Sequence, residues 1–173
     1  MDTRTDLKDL ARRSLGLMEQ WDEAEAQVVH PDCVNHESPT EPPAARGRGP
    51  AAIRATQEWL HAAYSELHWQ VEHLVAEDDI VVARVVMSGR QTGPFVTYAA
   101  NGDIDRVFAA TGKSFAVTQT HLFRMADGAM IEHWANRDDL GQATQLGWVP
   151  PTPLFLIRSA LVRRRLRRRN GPS

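Results

Sequence analysis

The sequence predicts an α+β fold in which a curved antiparallel sheet is wrapped by N-terminal helices into a cone with an internal pocket. Apolar residues recur at helical spacing near the start of the chain, at Leu7, Leu10, Leu17 and Trp21. From residue 68 onward, apolar and polar residues instead alternate as they do in strands. Helices that precede a meander of strands are typical of α+β proteins, in which the helices cover one face of the sheet.

Three helical segments are expected before the strands. The first carries the apolar stripe that ends at Trp21, and residues 22–29 predict a short second helix. Residues 30–39 form a short extended piece, and residues 40–49 form a loop. Pro50 suits the first turn of the third helix. The apolar stripe of that helix consists of Ile53, Leu60, Ala63, Tyr64 and Leu67.

Four strands are expected, in two antiparallel pairs. Residues 68–76 alternate between apolar and polar side chains, and the β-branched run 80–87 follows after a short acidic turn. This pattern is typical of a β-hairpin. Residues 114–125 and 130–137 form the second pair. The turn 126–129 between them contains Asp-Gly, which supplies the positive φ angles of tight hairpin turns.

Two further segments are assigned from their composition. Residues 91–113 are rich in Gly, Ala, Asp and Thr and make a long loop, which either covers the pocket or lengthens a strand. Residues 138–147 predict one or two helical turns that end at Gly147. A curved sheet closed by helices leaves a cone-shaped cavity, which is a usual place for a small ligand.

The composition bounds the domain organisation and the compartment. The chain of 173 residues is expected to form one domain at residues 1–149, with a C-terminal extension at 150–173. Its hydrophobic content of 42% and charged content of 24% are ordinary for a soluble globular protein. Cys33 is the only cysteine, and the charged N-terminus lacks the apolar core of a secretory signal. We therefore expect a cytoplasmic protein in a reducing compartment.

Charge is divided unevenly along the chain. Residues 151–173 contain seven arginines and no acid, and the remaining 13 basic and 22 acidic residues give residues 1–150 a charge of −9. Nucleic-acid binders carry their basic face on the folded domain, so no nucleic-acid partner is expected. The extension either contacts the acidic body or a partner subunit, is disordered, or makes weak contact with a membrane surface. Its predicted helical stripe consists of Leu154, Ile157, Leu161 and Val162.

Several motifs resemble those of one protein family. The segments HPDCVNHESP (30–39), ATGKSF (110–115), HLFRMADGAMIEHW (121–134) and DLGQATQLG (139–147) are similar to the SnoaL-like polyketide cyclases, or ester cyclases. This resemblance implies the nuclear-transport-factor-like α+β cone, which the family shares with ketosteroid isomerases. It also implies ring closure without a cofactor. In that chemistry an acidic residue deprotonates an activated carbon of a polyketide ester, and the enolate attacks a carbonyl in an intramolecular aldol condensation.

The same resemblance assigns roles to residues, with one departure. His121 matches a histidine that lies in the substrate pocket beside the catalytic acid, and Asn35 matches an asparagine that lines the pocket. The family's catalytic aspartate directly follows the residue that matches Trp134, but this chain has Ala135 there, and alanine cannot transfer a proton. Asp138 matches a second acidic position. Three steps along a strand change the face, so Asp138 can serve only where the strand bulges or ends.

Three residues are the candidates for proton transfer. His121 and His133 lie at similar distances from the same hairpin turn, which makes them near neighbours across the strands. A neutral imidazole can act as a general base near pH 7, and Asp138 can orient an imidazole. The ordinary alternatives are a hydrogen-bonded core histidine for either ring and a helix cap for Asp138.

Five further residues are expected to contact a substrate in the pocket, namely Asn35, His36, Trp59, Phe123 and Ala135. Asn35 can donate a hydrogen bond to a developing oxyanion, or it can hold a turn. Glu132 and Trp134 alternate with His133 and therefore point toward a second layer or a subunit interface.

No metal or cofactor is expected. The sequence has no cysteine pair, no His-x-His and no two-histidine helix motif, and it lacks phosphate-binding and dinucleotide fingerprints. The first hypothesis is a homodimeric enzyme that performs acid/base chemistry on a small hydrophobic carbonyl compound, as a cyclase or isomerase. The second is a non-catalytic small-molecule binding protein that kept the pocket and lost the base at Ala135.

Overall fold

The computed structural model describes residues 3–169, and the side chains of residues 6–168. The last four residues of the C-terminal extension lie outside that range. The helices are α1 (Thr3–Glu19), α2 (Gly49–Ala63), α3 (Asp139–Leu146) and α4 (Pro153–Arg169). The strands are β1 (Val29–Asn35), β2 (Tyr64–Glu77), β3 (Ile80–Gln91), β4 (Phe95–Tyr98), β5 (Ile104–Phe108), β6 (Ser114–Ala126) and β7 (Ala129–Arg137).

Five of these strands form one sheet in the order β1-β7-β6-β3-β2. The neighbours from β2 to β7 are antiparallel, and the turn before β7 has positive φ angles at Asp127 and Gly128, as predicted. β1 lies at the edge and runs parallel to β7, with Asn35 opposite His133. The α+β prediction is confirmed, but the sheet is mixed rather than antiparallel throughout. A parallel neighbour needs a long crossover, and here α2 and the intervening strands provide it.

The main core lies between the N-terminal helices and one face of the sheet. Along β3, alternate side chains from Val81 to Met87 are buried, which is the period of a strand with one covered face. Ala11 and Leu15 of α1 and Ile53 of α2 belong to the same cluster. This packing places the helices above the face on which the predicted histidines lie.

The helix α2 ends earlier than its apolar stripe predicts. It stops at Ala63, and the buried side chains Tyr64 and Leu67 belong to β2. Glu66 between them has a φ of 57°, and the β2–β3 register shifts at this point. A bulge inserts one residue into a strand, so side chains three apart share a face as they do on a helix. The spacing of Tyr64 and Leu67 therefore imitates helical spacing.

Two other segments differ from their predictions. Residues 22–29 contain only a short 3-10 turn, Ala26–Val28, because Val29 already begins β1. The predicted loop 91–113 contains the antiparallel strands β4 and β5. We call residues 95–108, which comprise both strands and their connection, the lid hairpin.

The C-terminal extension is helical and contacts the body of the protein. Val162 and Leu166 of α4 pack against the small apolar cluster of the lid hairpin. The other members of the predicted stripe, Leu154, Ile157 and Leu161, are 61%, 58% and 53% exposed. They project from a different side of the helix, since Leu161 directly precedes Val162 and successive side chains are turned by about 100°.

Two hydrogen bonds attach α4 to the lid hairpin and the residues after it. The backbone N–H of Ala109 donates to the hydroxyl of Ser159 at 3.1 Å, and the guanidinium of Arg167 donates to the carbonyl oxygen of Ile104 at 3.0 Å. Within the described part of the chain, no helix is long and apolar enough to cross a membrane.

Candidate active site

A cavity of about 610 Å³ lies between the helices, the sheet and the lid hairpin. The apolar part of its lining includes Leu15, Ile53, Trp69, Phe95, Phe108 and Trp148. The polar part includes Asn35, Glu37, Glu41, Gln119, His121, His133 and Arg137. Most of these polar side chains belong to β6, β7 and the segment after β1, so they form one wall, which we call the polar wall.

Two histidine rings are in direct contact on the polar wall. Nδ1 of His121 on β6 lies 2.9 Å from Nε2 of His133 on β7. In the strand register His121 is opposite Ala135 and Phe123 is opposite His133, so the two histidines are diagonal neighbours. The ring of Phe123 lies 6.0 Å from one imidazole and 5.3 Å from the other, which keeps the pair packed.

Each imidazole is held at its other nitrogen by a side-chain amide. Nε2 of His121 lies 2.9 Å from Oε1 of Gln119, and Nδ1 of His133 lies 3.0 Å from Oδ1 of Asn35. The orientation of the Asn35 amide is fixed, because its Oδ1 also accepts the backbone N–H of Glu37 at 3.1 Å. Asn35 therefore holds a turn, as one of its alternatives proposed, and it also orients His133.

These partners restrict where the protons can lie. Since Oδ1 of Asn35 can only accept, Nδ1 of His133 carries a proton, and in the neutral pair its Nε2 accepts from Nδ1–H of His121. The free lone pair is then on Nε2 of His121, and the Gln119 amide, whose Oε1 faces that nitrogen in the structure, would have to rotate to turn its N–H toward it. In the structure the amide N–H of Gln119 points to the thioether of Met87, and Oε1 faces His121. In this orientation the histidine pair accommodates one more proton, on Nε2 of His121. The basic atom is therefore Nε2 of His121.

Burial keeps this pair uncharged near neutral pH. Burial, together with the positive charge of Arg137, lowers the pKa of His121 from 6.5 to about 4. Burial also lowers the pKa of His133, and the neighbouring His121 and Arg137 add to that effect. The neutral pair can thus accept one proton, and the charge of Arg137 favours an anion in the same cavity.

A buried glutamate on the polar wall was absent from the sequence-based candidates. Glu41 is 2% exposed, and its carboxyl lies 2.5 Å from the hydroxyl of Thr56. Burial raises the pKa of this carboxyl. The only sequence signal was that Glu41 is the single acid between residues 38 and 57, in a segment interpreted as loop.

A second glutamate reaches the backbone of Ala135. Ala135 lines the cavity, and its N–H donates to Oε1 of Glu37 at 3.0 Å. The other carboxylate oxygen lies 3.5 Å from the guanidinium of Arg137. Because β1 ends at Asn35, this side chain continues the hydrogen bonding along the edge of β7 where no strand lies beside it.

Asp138 does not join the histidines. It is the N-cap of α3, and its Oδ1 accepts the N–H of Gly141 at 2.8 Å. β7 ends at Arg137, and the chain turns directly into the helix, so the carboxylate meets unpaired helical N–H groups rather than the cavity. Asp138 is thus placed as a helix cap, as its alternative proposed, and not beside the histidines, where a catalytic role was expected.

His36 also lies away from the cavity. Its ring stacks on Trp134 at 4.5 Å, and its Nε2 lies 2.9 Å from Oε2 of Glu132. His36 directly follows Asn35, and successive residues in extended chain point to opposite faces. His36 thus lies outside the lining of the cavity, where a substrate contact was expected, whereas Glu132 and Trp134 face away from the cavity as expected.

Trp59 lies in the cavity lining and ties α2 to the lid hairpin. Its indole N–H donates to the carbonyl oxygen of Val96 at 2.8 Å, and its ring centroid lies 4.8 Å from that of Phe95. The cavity lining also contains Phe123.

Both ends of the lid hairpin are fixed by buried or charged side chains. At its base, Gln91 is fully buried, donates to the carbonyl oxygen of Phe108 at 3.1 Å and accepts the indole N–H of Trp148 at 3.1 Å. At its tip, the guanidinium of Arg46 donates to the carbonyl oxygen of Ala99 at 2.8 Å. The hairpin therefore forms a fixed wall of the cavity.

Residues 3–169 contain no group of three His, Cys, Asp or Glu side chains placed to hold one metal ion. Cys33 is fully buried, and burial raises the pKa of its thiol to about 12. It is a protonated core residue, because burial and the neighbouring charge of Glu132 both disfavour its thiolate.

These features define a class of protein: an α+β cone that encloses a cavity with acid/base groups on one wall. The family model described as SnoaL-like polyketide cyclase matches residues 8–146. The chain belongs to the SnoaL-like polyketide cyclase family, as its motifs predicted.

Two relatives are cyclases by name. The chain is 35% identical over 108 residues to the aklanonic acid methyl ester cyclase DnrD of Streptomyces peucetius. This alignment covers 61% of the chain and 67% of the relative. It is also 35% identical over 108 residues to the aklanonic acid methyl ester cyclase DauD of Streptomyces sp. strain C5, with 61% and 60% covered.

Solved structures confirm the cone fold. TsrD from Streptomyces laurentii superposes with a TM-score of 0.66 at 28% identity, over 85% of this chain and 98% of that one. A SnoaL-like protein from Jannaschia sp. CCS1 gives a TM-score of 0.67 at 22% identity, over 87% and 97%. AclR from Streptomyces galilaeus gives a TM-score of 0.62 at 20% identity, over 98% of this chain and 99% of that one.

Proposed function

We propose that the chain is a cofactor-independent cyclase that closes a ring in a hydrophobic polyketide-type ester by an aldol-type reaction. The observation that carries this proposal is the pair of histidine rings in direct contact on the cavity wall, with Gln119 and Asn35 at their outer nitrogens. The two aklanonic acid methyl ester cyclases support the choice of substrate class.

His121 is the general base in this proposal. Its Nε2 takes a proton from the activated carbon, and the Gln119 amide then turns its oxygen to the new N–H, which is the arrangement of the structure. His133 does not touch the substrate in this step. His133 shares a hydrogen bond with Nδ1 of His121, and Asn35 fixes the tautomer of His133. His133 and Asn35 are therefore positioning residues.

Arg137 has a complementary role. Its positive charge lowers the pKa values of both histidines, and the same charge stabilises an enolate in the cavity. The apolar lining opposite the polar wall accommodates the hydrophobic part of a substrate and excludes water from the enolate.

Aklanonic acid methyl ester in D₂O tests this function directly. Ring closure leaves the mass of the substrate unchanged, so the product is detected by its retention time. Deuterium uptake at the activated carbon reports proton removal separately. We expect both to depend on the protein and on His121. Absence of both signals with the wild-type chain would contradict the proposal.

A non-catalytic binding protein is the second candidate, favoured by Ala135 in place of the family aspartate. In that case the chain binds the ester tightly by calorimetry, and deuterium uptake stays at the buffer rate. Turnover by the wild type removes this candidate.

We also propose that the chain is a homodimer through the outer face of the sheet, where the ring of Trp134 stacks on that of His36 and the guanidinium of Arg124 lies 5.6 Å from the Trp134 ring centroid. Light scattering of the wild type and of Trp134→Glu tests it. A wild type with the mass of one chain contradicts it.

A further inference from the structure

A buried carboxyl lines the cavity together with the histidine pair and has no part in the base step. Glu41 lies between β1 and α2 and is 2% exposed. Within residues 3–169, no basic side chain forms an ion pair with it. The neighbouring Arg46 donates to its backbone oxygen at 3.0 Å instead. A buried carboxyl without a cation is most stable when it carries a proton.

The groups around Glu41 agree with a protonated form. Burial is the largest influence on its pKa and raises it, and the charge of Glu37 adds to this effect. Hydrogen bonds from Thr56 and Asn35 and the charge of Arg137 oppose the rise without reversing it. Glu41 thus remains a neutral acid at pH values where an exposed glutamate is ionised.

Thr56 allows this carboxyl both to hold and to release its proton. The threonine hydroxyl lies 2.5 Å from Oε2 of Glu41 and 3.4 Å from the carbonyl oxygen of Ala52. When Glu41 is ionised, the hydroxyl donates to it. When Glu41 is protonated, the acid donates to the hydroxyl oxygen, which then turns its own proton to Ala52. Both protonation states therefore have complete hydrogen bonding without movement of the backbone.

We propose that Glu41 is the proton donor of the ring closure, a catalytic residue distinct from the His121 base. This inference rests on the proposed function. Nε2 of His121 takes the proton from carbon, the new carbon–carbon bond converts the attacked carbonyl to an alkoxide, and Glu41 protonates that oxygen. The imidazolium and the carboxylate left behind exchange one proton through solvent when the product leaves, which restores both groups. The substrate gains and loses no atoms.

The other glutamate on the polar wall is unsuited to this step. Both oxygens of Glu37 already have partners, the N–H of Ala135 and the guanidinium of Arg137. Proton donation from Glu37 would require a protonated carboxyl beside that cation. Glu41 has only neutral hydrogen-bond partners at its carboxyl, the hydroxyl of Thr56 and the amide of Asn35.

Glu41→Gln tests the proposal, because the amide keeps the shape and a hydrogen bond to Thr56 but cannot donate an acidic proton. We expect deuterium uptake from D₂O to stay close to wild type, while ring-closed product falls by about 100-fold or more. Glu41→Asp should recover part of the product. The matched control is Glu58→Gln on α2, an exposed residue paired with Arg54, and it should behave as wild type.

Three results separate this inference from the proposed function. Ring closure at the wild-type rate in Glu41→Gln overturns the inference alone. Equal loss of deuterium uptake and of product also overturns it, since a structural role or a role as base affects both steps. Absence of deuterium uptake with wild type overturns the proposed function and the inference together. As a further readout, product formation should fall on alkaline titration in wild type, and Glu41→Gln should lack that fall.

Discussion

Nδ1 of His121 and Nε2 of His133 lie 2.9 Å apart, although the two histidines belong to different strands. Two nitrogens at this separation share one proton, because two bare lone pairs would repel each other. The protonation of one ring therefore fixes the tautomer of the other. Removal of His133 should change the basicity of His121 rather than remove the base itself.

The first prediction separates the base from its positioning residue. His121→Gln should abolish deuterium uptake from D₂O, whereas His133→Gln should reduce it by about 10-fold to 100-fold, because the base remains but is poorly oriented. Stopped reactions analysed by mass spectrometry measure the rates, and melting temperatures show that both variants fold. Wild-type rates in both single variants and in the double variant would refute the assignment.

The second prediction concerns the pH dependence of stability. An unfolded histidine binds its proton near pH 6.5, but folded His121 binds it only near pH 4, so the unfolded chain holds more protons between these values. The free energy of unfolding should therefore fall as the pH drops from about 6.5 to about 4. Urea titrations at several pH values measure it. The double variant His121→Gln, His133→Gln should show a shallower fall, and an unchanged slope would contradict this account.

The third prediction follows from the placement of Asp138 as a helix cap. Asp138→Ala should lower the free energy of unfolding by about 1 kcal/mol, and Asp138→Asn should cost less because asparagine also caps helices. Both variants should keep turnover within about two-fold, since the carboxylate bonds to Gly141 and not to the histidines. A loss of turnover in Asp138→Asn, comparable with that of His121→Gln, would restore a catalytic role.

The fourth prediction concerns the attachment of α4. Leu166→Ala should lower the free energy of unfolding by roughly 1–2 kcal/mol, because the side chain packs half-buried against the lid hairpin. The control Leu161→Ala removes an exposed side chain and should change it by less than about 0.5 kcal/mol. Thermal unfolding measures both variants, and equal effects would contradict the packing.

The same contact should be insensitive to salt. Contact with the acidic body, one of the roles that the sequence left open for the basic extension, would be sensitive to salt if opposite charges held it. No arginine of α4 forms an ion pair among the described side chains. The contacts are apolar, with hydrogen bonds to backbone and hydroxyl groups. Salt screens interactions between charges, so it should weaken the attachment of α4 very little. A melting temperature that drops with salt in the full chain, but not after truncation at Val149, would favour docking through charge.

The alternation of the last two strands was enough to predict the faces of their side chains. Gln119, His121 and Phe123 are all buried on one face, as a period of two requires. The tight turn at Asp127 then set the register that brings His121 near His133. Strand alternation and turn residues are local properties of the sequence. The sequence alone was therefore sufficient to predict these features.

Other features depend on contacts between distant segments. The parallel pairing of β1 with β7 joins residues about a hundred positions apart, and no local pattern specifies it. Glu41 is an isolated acid in a Pro-rich segment, and only the packing of α2 turns it into the cavity. Asp138 was ambiguous for a different reason, since the same carboxylate suits a cap and an active site.

The fixed lid hairpin has a thermodynamic consequence for any guest of the cavity. Gln91 at its base, Arg46 at its tip and Trp59 along its side hold the wall in place through contacts within the protein. Binding then needs little loss of chain entropy, so affinity depends on how well a rigid guest matches a preformed shape. A flexible, open-chain ester must lose its own conformational entropy when it binds. The cyclised, rigid product loses less and should compete strongly with the ester for the same cavity.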